Sequence, residues 1–153
     1  MAIFIISHCP CLLSIDISRT DDDEFSSKIT DQALQSIAEH CTELKSLTIS
    51  NCVDISDAGL IIISELCPKL LSLTIDYCDQ ITDTSIISIS THCTGLQSLN
   101  IEACDKITDA RFRRLDVSET VISDASLIAI AKNCTGLQFL STNDYDSLSS
   151  DVL

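Results

Sequence analysis

Nine cysteines, three histidines and a recurrent Ser/Thr-Asp pair are the residues of this 153-residue chain with chemistry to offer. Cys52, Cys67, Cys78, Cys93 and Cys104 follow one another in alternating steps of 15 and 11 residues. Thiols in such numbers serve as metal ligands, disulfides, redox centres or small packing groups. His8-Cys9, His40-Cys41 and His92-Cys93 set a base beside a nucleophile in sequence. Asp57, Asp83 and Asp109 place carboxylates at a fixed interval, a pattern that can also hold cations. The elements that carry these side chains decide between the alternatives.

Those elements recur. The segments beginning CTELKSLTISNC, CPKLLSLTIDYC and CTGLQSLNIEAC, at Cys41, Cys67 and Cys93, align without gaps at a period of 26 residues. The shared frame is C-x-x-L-x-x-L-x-I-x-x-C-x-x-I-[ST]-D-x-x-[LI]-x-x-I-x-x-x-C, the last part incomplete in the third copy. Within each unit, Leu47-Thr48-Ile49-Ser50 alternates apolar and polar with a β-branched bias, which predicts a short strand. Leu60, Ile63 and Cys67 then recur at i, i+3 and i+7, one face of a helix. Ser56-Asp57, Thr82-Asp83, Thr108-Asp109, Ser123-Asp124 and Thr30-Asp31 open the helices, capping free backbone N–H groups and complementing the dipole. Pro10, Pro68, Gly95 and Gly136 follow the helix ends. One strand and one helix cannot form a core alone, whereas stacked units can. The expected fold is an α/β solenoid with one short parallel strand and one helix per 26-residue repeat.

This geometry weighs against chemistry at the cysteines. Cys9, Cys41, Cys67, Cys93 and Cys134 end helices, and Cys52, Cys78 and Cys104 follow strands, so each set forms a straight column with rungs about 4.8 Å apart. Zinc needs four ligands converging tetrahedrally, and a column offers two thiols at most per point. Disulfides between rungs would need side chains to turn toward one another. The expectation is that each Cys fills a small, slightly polar slot at a bend of the coil. Cys11 is the exception: it shares a slot with Glu43, Lys69, Gly95 and Gly136 and is expected to be exposed, the one candidate reactive thiol. The histidines share their slot with Leu66 and Asn133, and a His suits a helix C-terminus without any catalysis. Neighbouring helical residues point about 100° apart, so His and Cys do not face each other. Capping accounts for the aspartates. There is no Gly-rich phosphate loop, H-E-x-x-H or G-x-S-x-G, so the sequence offers no enzyme and no cofactor site.

Composition narrows the partners. Hydrophobic residues make up 45% of the chain, ample for a core, while three Gly and two Pro exclude a turn-rich β protein. A net charge of −14 repels nucleic-acid phosphates and anionic lipid heads and favours basic or neutral proteins. MAIFIISHCPCLL lacks the basic start and cleavage site of a signal peptide. No apolar run approaches the ~20 residues of a membrane span. An odd cysteine count points to a reducing, intracellular compartment, cytoplasmic or nuclear.

The outer repeats depart from the frame. Cys9, Leu12, Ile15 and Ile17 supply a strand, but Ile29-Thr30-Asp31 arrives six residues late, an acidic insertion near 21–27 that contains Phe25. After Phe112 a helix is missing: Leu115 and Val117 read as the next strand, a shortened repeat near 110–116. Leu127, Ile130 and Cys134 restore the helix, Leu137 and Leu140 form a last strand, and residues 141–153 are a ragged polar tail. The whole reads as one domain, 1–153, of about five to six repeats, partial at both ends and resembling a piece of a longer protein.

The frame resembles leucine-rich repeats of the cysteine-containing type, as found in the C-terminal arrays of F-box/LRR proteins, over residues 1 to about 145. The resemblance implies a right-handed, horseshoe-shaped solenoid and a role in substrate recruitment. In that family a separate F-box docks to a cullin-RING ubiquitin ligase, and no F-box-like segment occurs here. The alternatives are a stand-alone repeat scaffold without a ubiquitin role, a non-functional fragment, or a redox or metal protein, which the column geometry disfavours. An F-box upstream in a longer reading frame would separate the first two.

With helices outside, strand residues between the buried Leu and Ile line the concave face. Three columns are expected: Ser14, Ser46, Ser72, Ser98, Arg114, Phe139; Asp16, Thr48, Thr74, Asn100, Asp116, Ser141; and Ser18, Ser50, Asp76, Glu102, Ser118, Asn143. Asp76 and Glu102 are adjacent at the centre, and Tyr77 at the rim is the best aromatic anchor. The candidate protein-binding residues are Asp16, Thr48, Ser50, Thr74, Asp76, Tyr77, Asn100, Glu102 and Asp116. The functional reading is a shallow acidic surface for a basic protein or peptide; the plain alternative is a solvated sheet face.

Overall fold

Short alternating segments such as Ser46-Leu47-Thr48 have one apolar residue to bury and form strands only three residues long, so each needs a neighbour on both sides. The computed structural model describes residues 12–18, 29–104, 106, 107 and 125–141. Its strands are β1 (Ser14–Asp16), β2 (Ser46–Thr48), β3 (Ser72–Thr74), β4 (Ser98–Asn100) and β5 (Phe139–Ser141), all parallel and in sequence order in one sheet. Leu47 pairs with Leu73 and Leu73 with Leu99, so the 26-residue period becomes an in-register row. The helices are α1 (Asp31–His40), α2 (Asp57–Leu66), α3 (Asp83–His92) and α4 (Ala125–Asn133). Alternating strands and helices with one parallel sheet make an α/β solenoid of the kind leucine-rich repeats build.

Each helix stops at its cysteine. The Cys41, Cys67 and Cys93 N–H groups donate to the carbonyls of Ile37, Ile63 and Ile89, each at 2.8 Å, and the chain then turns toward the next strand. The helices do not end on a left-handed glycine: no described glycine has a positive φ. Instead, Asn51, Tyr77 and Ala103 adopt φ of 60°, 58° and 57°, one after each of β2, β3 and β4. A left-handed backbone costs an ordinary residue about 1–2 kcal/mol, and the turn is held by its neighbours: the Asn51 N–H donates to the Asp76 carbonyl and the Tyr77 N–H to that of Glu102.

The core consists of the same columns repeated. Leu44, Leu70 and Leu96, Leu47, Leu73 and Leu99, Ile49, Ile75 and Ile101, and Ile37, Ile63 and Ile89 are buried, with the cysteines between them. Burying one such side chain contributes about 1.5–3 kcal/mol. Small residues allow the helices to approach: Gly59, Ser64, Ser85, Ser90 and Ser126 are buried. A Cβ on Gly59 would lie 2.6 Å from Asp31 Oδ1 and 2.8 Å from Leu34 Cδ1.

One expectation changes. The sequence reading places a strand at Leu115–Val117 between those of Leu99 and Leu140, but Ser98 pairs directly with Phe139 and Asn100 with Ser141. Among the described residues no rung lies between β4 and β5; Arg114, Asp116 and Ser118 fall outside the described residues, as do Cys9, Cys11, Phe25 and Asn143. The reason is visible at the cysteines: Cys134 follows Cys93 by 41 residues rather than 26 yet donates to its carbonyl as the next rung. The extra length lies between Ile107 and α4, just as the extra residues of the first repeat lie between Ile17 and Ile29.

Candidate functional site

The thiol columns are buried and free of disulfides: Cys41, Cys52, Cys67, Cys78, Cys93, Cys104 and Cys134. Their slot is polar because each bend of the coil leaves a carbonyl facing the next rung. Cys52, Cys78 and Cys104 donate to the carbonyls of Ile17, Ile49 and Ile75 at 3.6, 3.1 and 2.8 Å. Cys67, Cys93 and Cys134 donate to those of Cys41, Cys67 and Cys93 at 3.4, 3.7 and 3.7 Å. Burial pushes the Cys67 thiol up to about 11 and those of Cys78 and Cys93 up to about 12, so they remain neutral thiols near neutral pH. Among the described residues no three His, Cys, Asp or Glu side chains converge as metal ligands. His40 and His92 direct Nδ1 to the carbonyls of Ser36 and Ser88 at 2.8 and 2.9 Å, which requires the proton on that nitrogen and ties each ring to its own helix.

The aspartates do more than cap their own helices. Ser56 and Thr82 accept from the N–H groups of Ala58 and Thr84, as an N-cap should, but Thr30 makes no side-chain cap bond. The carboxylates instead reach the next repeat: Asp31 Oδ1 accepts from the Ser56 N–H at 2.8 Å and Oδ2 from its hydroxyl at 2.6 Å. Asp57 binds Thr82 in the same way, and Asp83 accepts from the Ser126 hydroxyl. Capping therefore does not account for the ladder; it links successive repeats.

The face away from the helices carries the predicted binding residues. The register aligns Asp16, Thr48, Thr74 and Asn100 in one row, now followed by Ser141. Each is at least partly exposed while the intervening Leu47, Leu73 and Leu99 are buried. Ser50, Asp76 and Glu102 form the next row and are also accessible, with Tyr77 beside them half exposed. Phe139 extends the face at its far end.

The acids of this face are not equivalent. Asp16 Oδ1 accepts from the Ser18 hydroxyl at 2.7 Å and its N–H at 2.9 Å, in that order of effect holding the carboxyl below its ordinary value. Asp76 Oδ1 accepts from the Ser50 hydroxyl at 2.8 Å. Among the described residues no hydrogen bond or ion pair engages the carboxylate of Glu102, or that of Asp79 just beyond Tyr77. Lys106 donates to Gln80 at 2.8 Å. Asp79 and Val53 share the slot after the strand cysteine, and Val53 is 46% exposed; the apolar alternation has ended there, so the sequence pattern gave no signal for either.

Residues 40–64 match the leucine-rich repeat family model, spanning the end of α1, β2 and most of α2. The match supports a leucine-rich repeat protein, a class whose repeats typically act as non-enzymatic protein-binding scaffolds. No curated protein matches the chain. No described helix is long and apolar enough to cross a membrane.

Proposed function

We propose that the chain is a protein-interaction module whose exposed sheet face receives a basic protein or peptide segment. The observation that carries this reading is the in-register strand face itself: Asp16, Asp76 and Glu102 supply its charge, and no Lys or Arg occupies its described columns. Its serines and threonines offer hydrogen bonds at low entropic cost, and the surrounding charge of −14 favours a cationic partner. Substrate recruitment for an F-box-type cullin-RING ubiquitin ligase is the finer reading. Its support is the resemblance of the cysteine-containing frame, and it would act through an F-box on a longer chain.

The experiment is affinity capture from lysate with the wild-type chain and with Asp76→Lys/Glu102→Lys, after circular dichroism has shown equal folding. Specific partners should be lost from the variant at physiological salt. Unchanged capture removes this face from consideration. Recovery of cullin-RING subunits with the full-length protein would support the finer reading, and their absence would favour a scaffold without a ubiquitin role.

A further inference from the structure

The turns leaving β2, β3 and β4 form a rim along one edge of the exposed face, and the rim differs from the face beside it. Tyr77 is 50% exposed and Val53 46% exposed, two large apolar side chains on successive turns that the core does not take up. The Tyr77 N–H donates to the Glu102 carbonyl at 2.9 Å, fixing the aromatic residue beside the Glu102 turn. The carboxylates of Asp76 and Asp16 already accept hydrogen bonds from hydroxyls, whereas among the described residues those of Glu102 and Asp79 accept none. Groups open to a partner thus concentrate at Glu102 and the turns beside it rather than along the rest of the sheet face.

We infer that the rim, through Tyr77, Val53, Glu102 and Asp79, anchors an extended segment of a partner protein in which arginine lies close to an apolar or aromatic residue. The inference rests on the proposed basic-partner reading and moves its anchor from the sheet centre to this edge. Charge complementarity selects the occupant: two carboxylates without partners among the described residues share these turns with an apolar pair, so a purely apolar segment would leave them unmatched. A guanidinium fits better than an ammonium, because it binds a carboxylate in bidentate fashion and stacks on an aromatic ring. Glu102, Tyr77 and Val53 lie on three consecutive turns whose strands are about 4.8 Å apart, so an extended peptide that crosses the rungs meets all three turns.

The test is fluorescence anisotropy with a labelled peptide, Gly-Ser-Arg-Phe-Arg-Ser-Gly, and its Lys-Phe-Lys and Arg-Ala-Arg counterparts, titrated with the full chain. The Arg-Phe-Arg peptide should bind, with each counterpart about fivefold to tenfold weaker. Tyr77→Asn, chosen because Asn tolerates the left-handed backbone, and Glu102→Gln should each weaken binding by a similar factor. If Asp76→Asn abolishes binding while Tyr77→Asn and Glu102→Gln leave it unchanged, the sheet-face reading stands and the rim is overturned. Absence of binding by all three peptides also overturns it, while lysate capture sensitive to Asp76→Lys alone would still uphold the face. Binding that emerges only after Arg111, Arg113 and Arg114 are all replaced by alanine would identify this chain's own basic run as the occupant and overturn the assignment to a partner.

Discussion

Asp57, the first residue of α2, holds the start of the following helix: its two carboxylate oxygens accept from the Thr82 N–H at 2.8 Å and the Thr82 hydroxyl at 2.6 Å. The same clasp joins Asp31 to Ser56, so α2 and α3 are each positioned by the acidic residue of the helix before. In a solenoid, where a unit contacts only its neighbours, such links transmit order along the stack.

Removing one clasp should therefore cost more than an ordinary surface change. Asp57→Ala is expected to lower stability by about 1–3 kcal/mol, since it leaves the Thr82 N–H and hydroxyl without their charged acceptor. Asp79→Ala, on an exposed carboxylate without a partner, should stay within about 0.5 kcal/mol of wild type. Urea denaturation separates the two, and equal midpoints would refute the structural role of the clasp.

Gly59 yields a prediction opposite to helix propensity. Alanine normally stabilises an exposed helix interior by up to about 1 kcal/mol over glycine. Here its Cβ would fall 2.6 Å from Asp31 Oδ1, a carboxylate held by Ser56, so Gly59→Ala should destabilise by about 1–3 kcal/mol. Gly136→Ala, with no atom within 4 Å of the new Cβ, should be neutral or gain up to about 1 kcal/mol. A higher melting temperature for Gly59→Ala would show that α1 and α2 do not approach so closely.

The buried thiols set an alkaline limit. Their folded values of about 11 for Cys67 and about 12 for Cys78 and Cys93 lie above the ordinary 9.0. The unfolded chain loses these protons first, so the stability that the neutral thiols confer is complete below pH 9 and declines as pH rises from about 9 toward 12. Each thiol adds up to about 1.4 kcal/mol per pH unit to that slope. Urea midpoints measured from pH 7 to 10.5 should be level and then fall; a constant midpoint above pH 9 would contradict the burial. At neutral pH, thiol reagents should label the column cysteines only as fast as the protein opens.

What the sequence determined by itself is what one repeat carries locally: the strand at Leu47, the helix from Asp57, the buried Leu and Ile columns, the bend cysteines and the exposed row through Thr48, Thr74 and Asn100. Hydrophobic period and the identity of neighbouring residues suffice for these, because each copy states the same pattern. Tertiary structure decided what depends on the neighbouring unit. Ser98 pairs with Phe139, because packing selects the segment that can continue both the sheet and the helix layer, whatever its distance along the chain. Asp57 reaches Thr82 instead of its own cap, Cys78 finds the Ile49 carbonyl, and among the described residues Glu102 keeps a free carboxylate where Asp76 does not. These partners lie a full repeat away, and only the stacking distance between rungs brings them within hydrogen-bond reach.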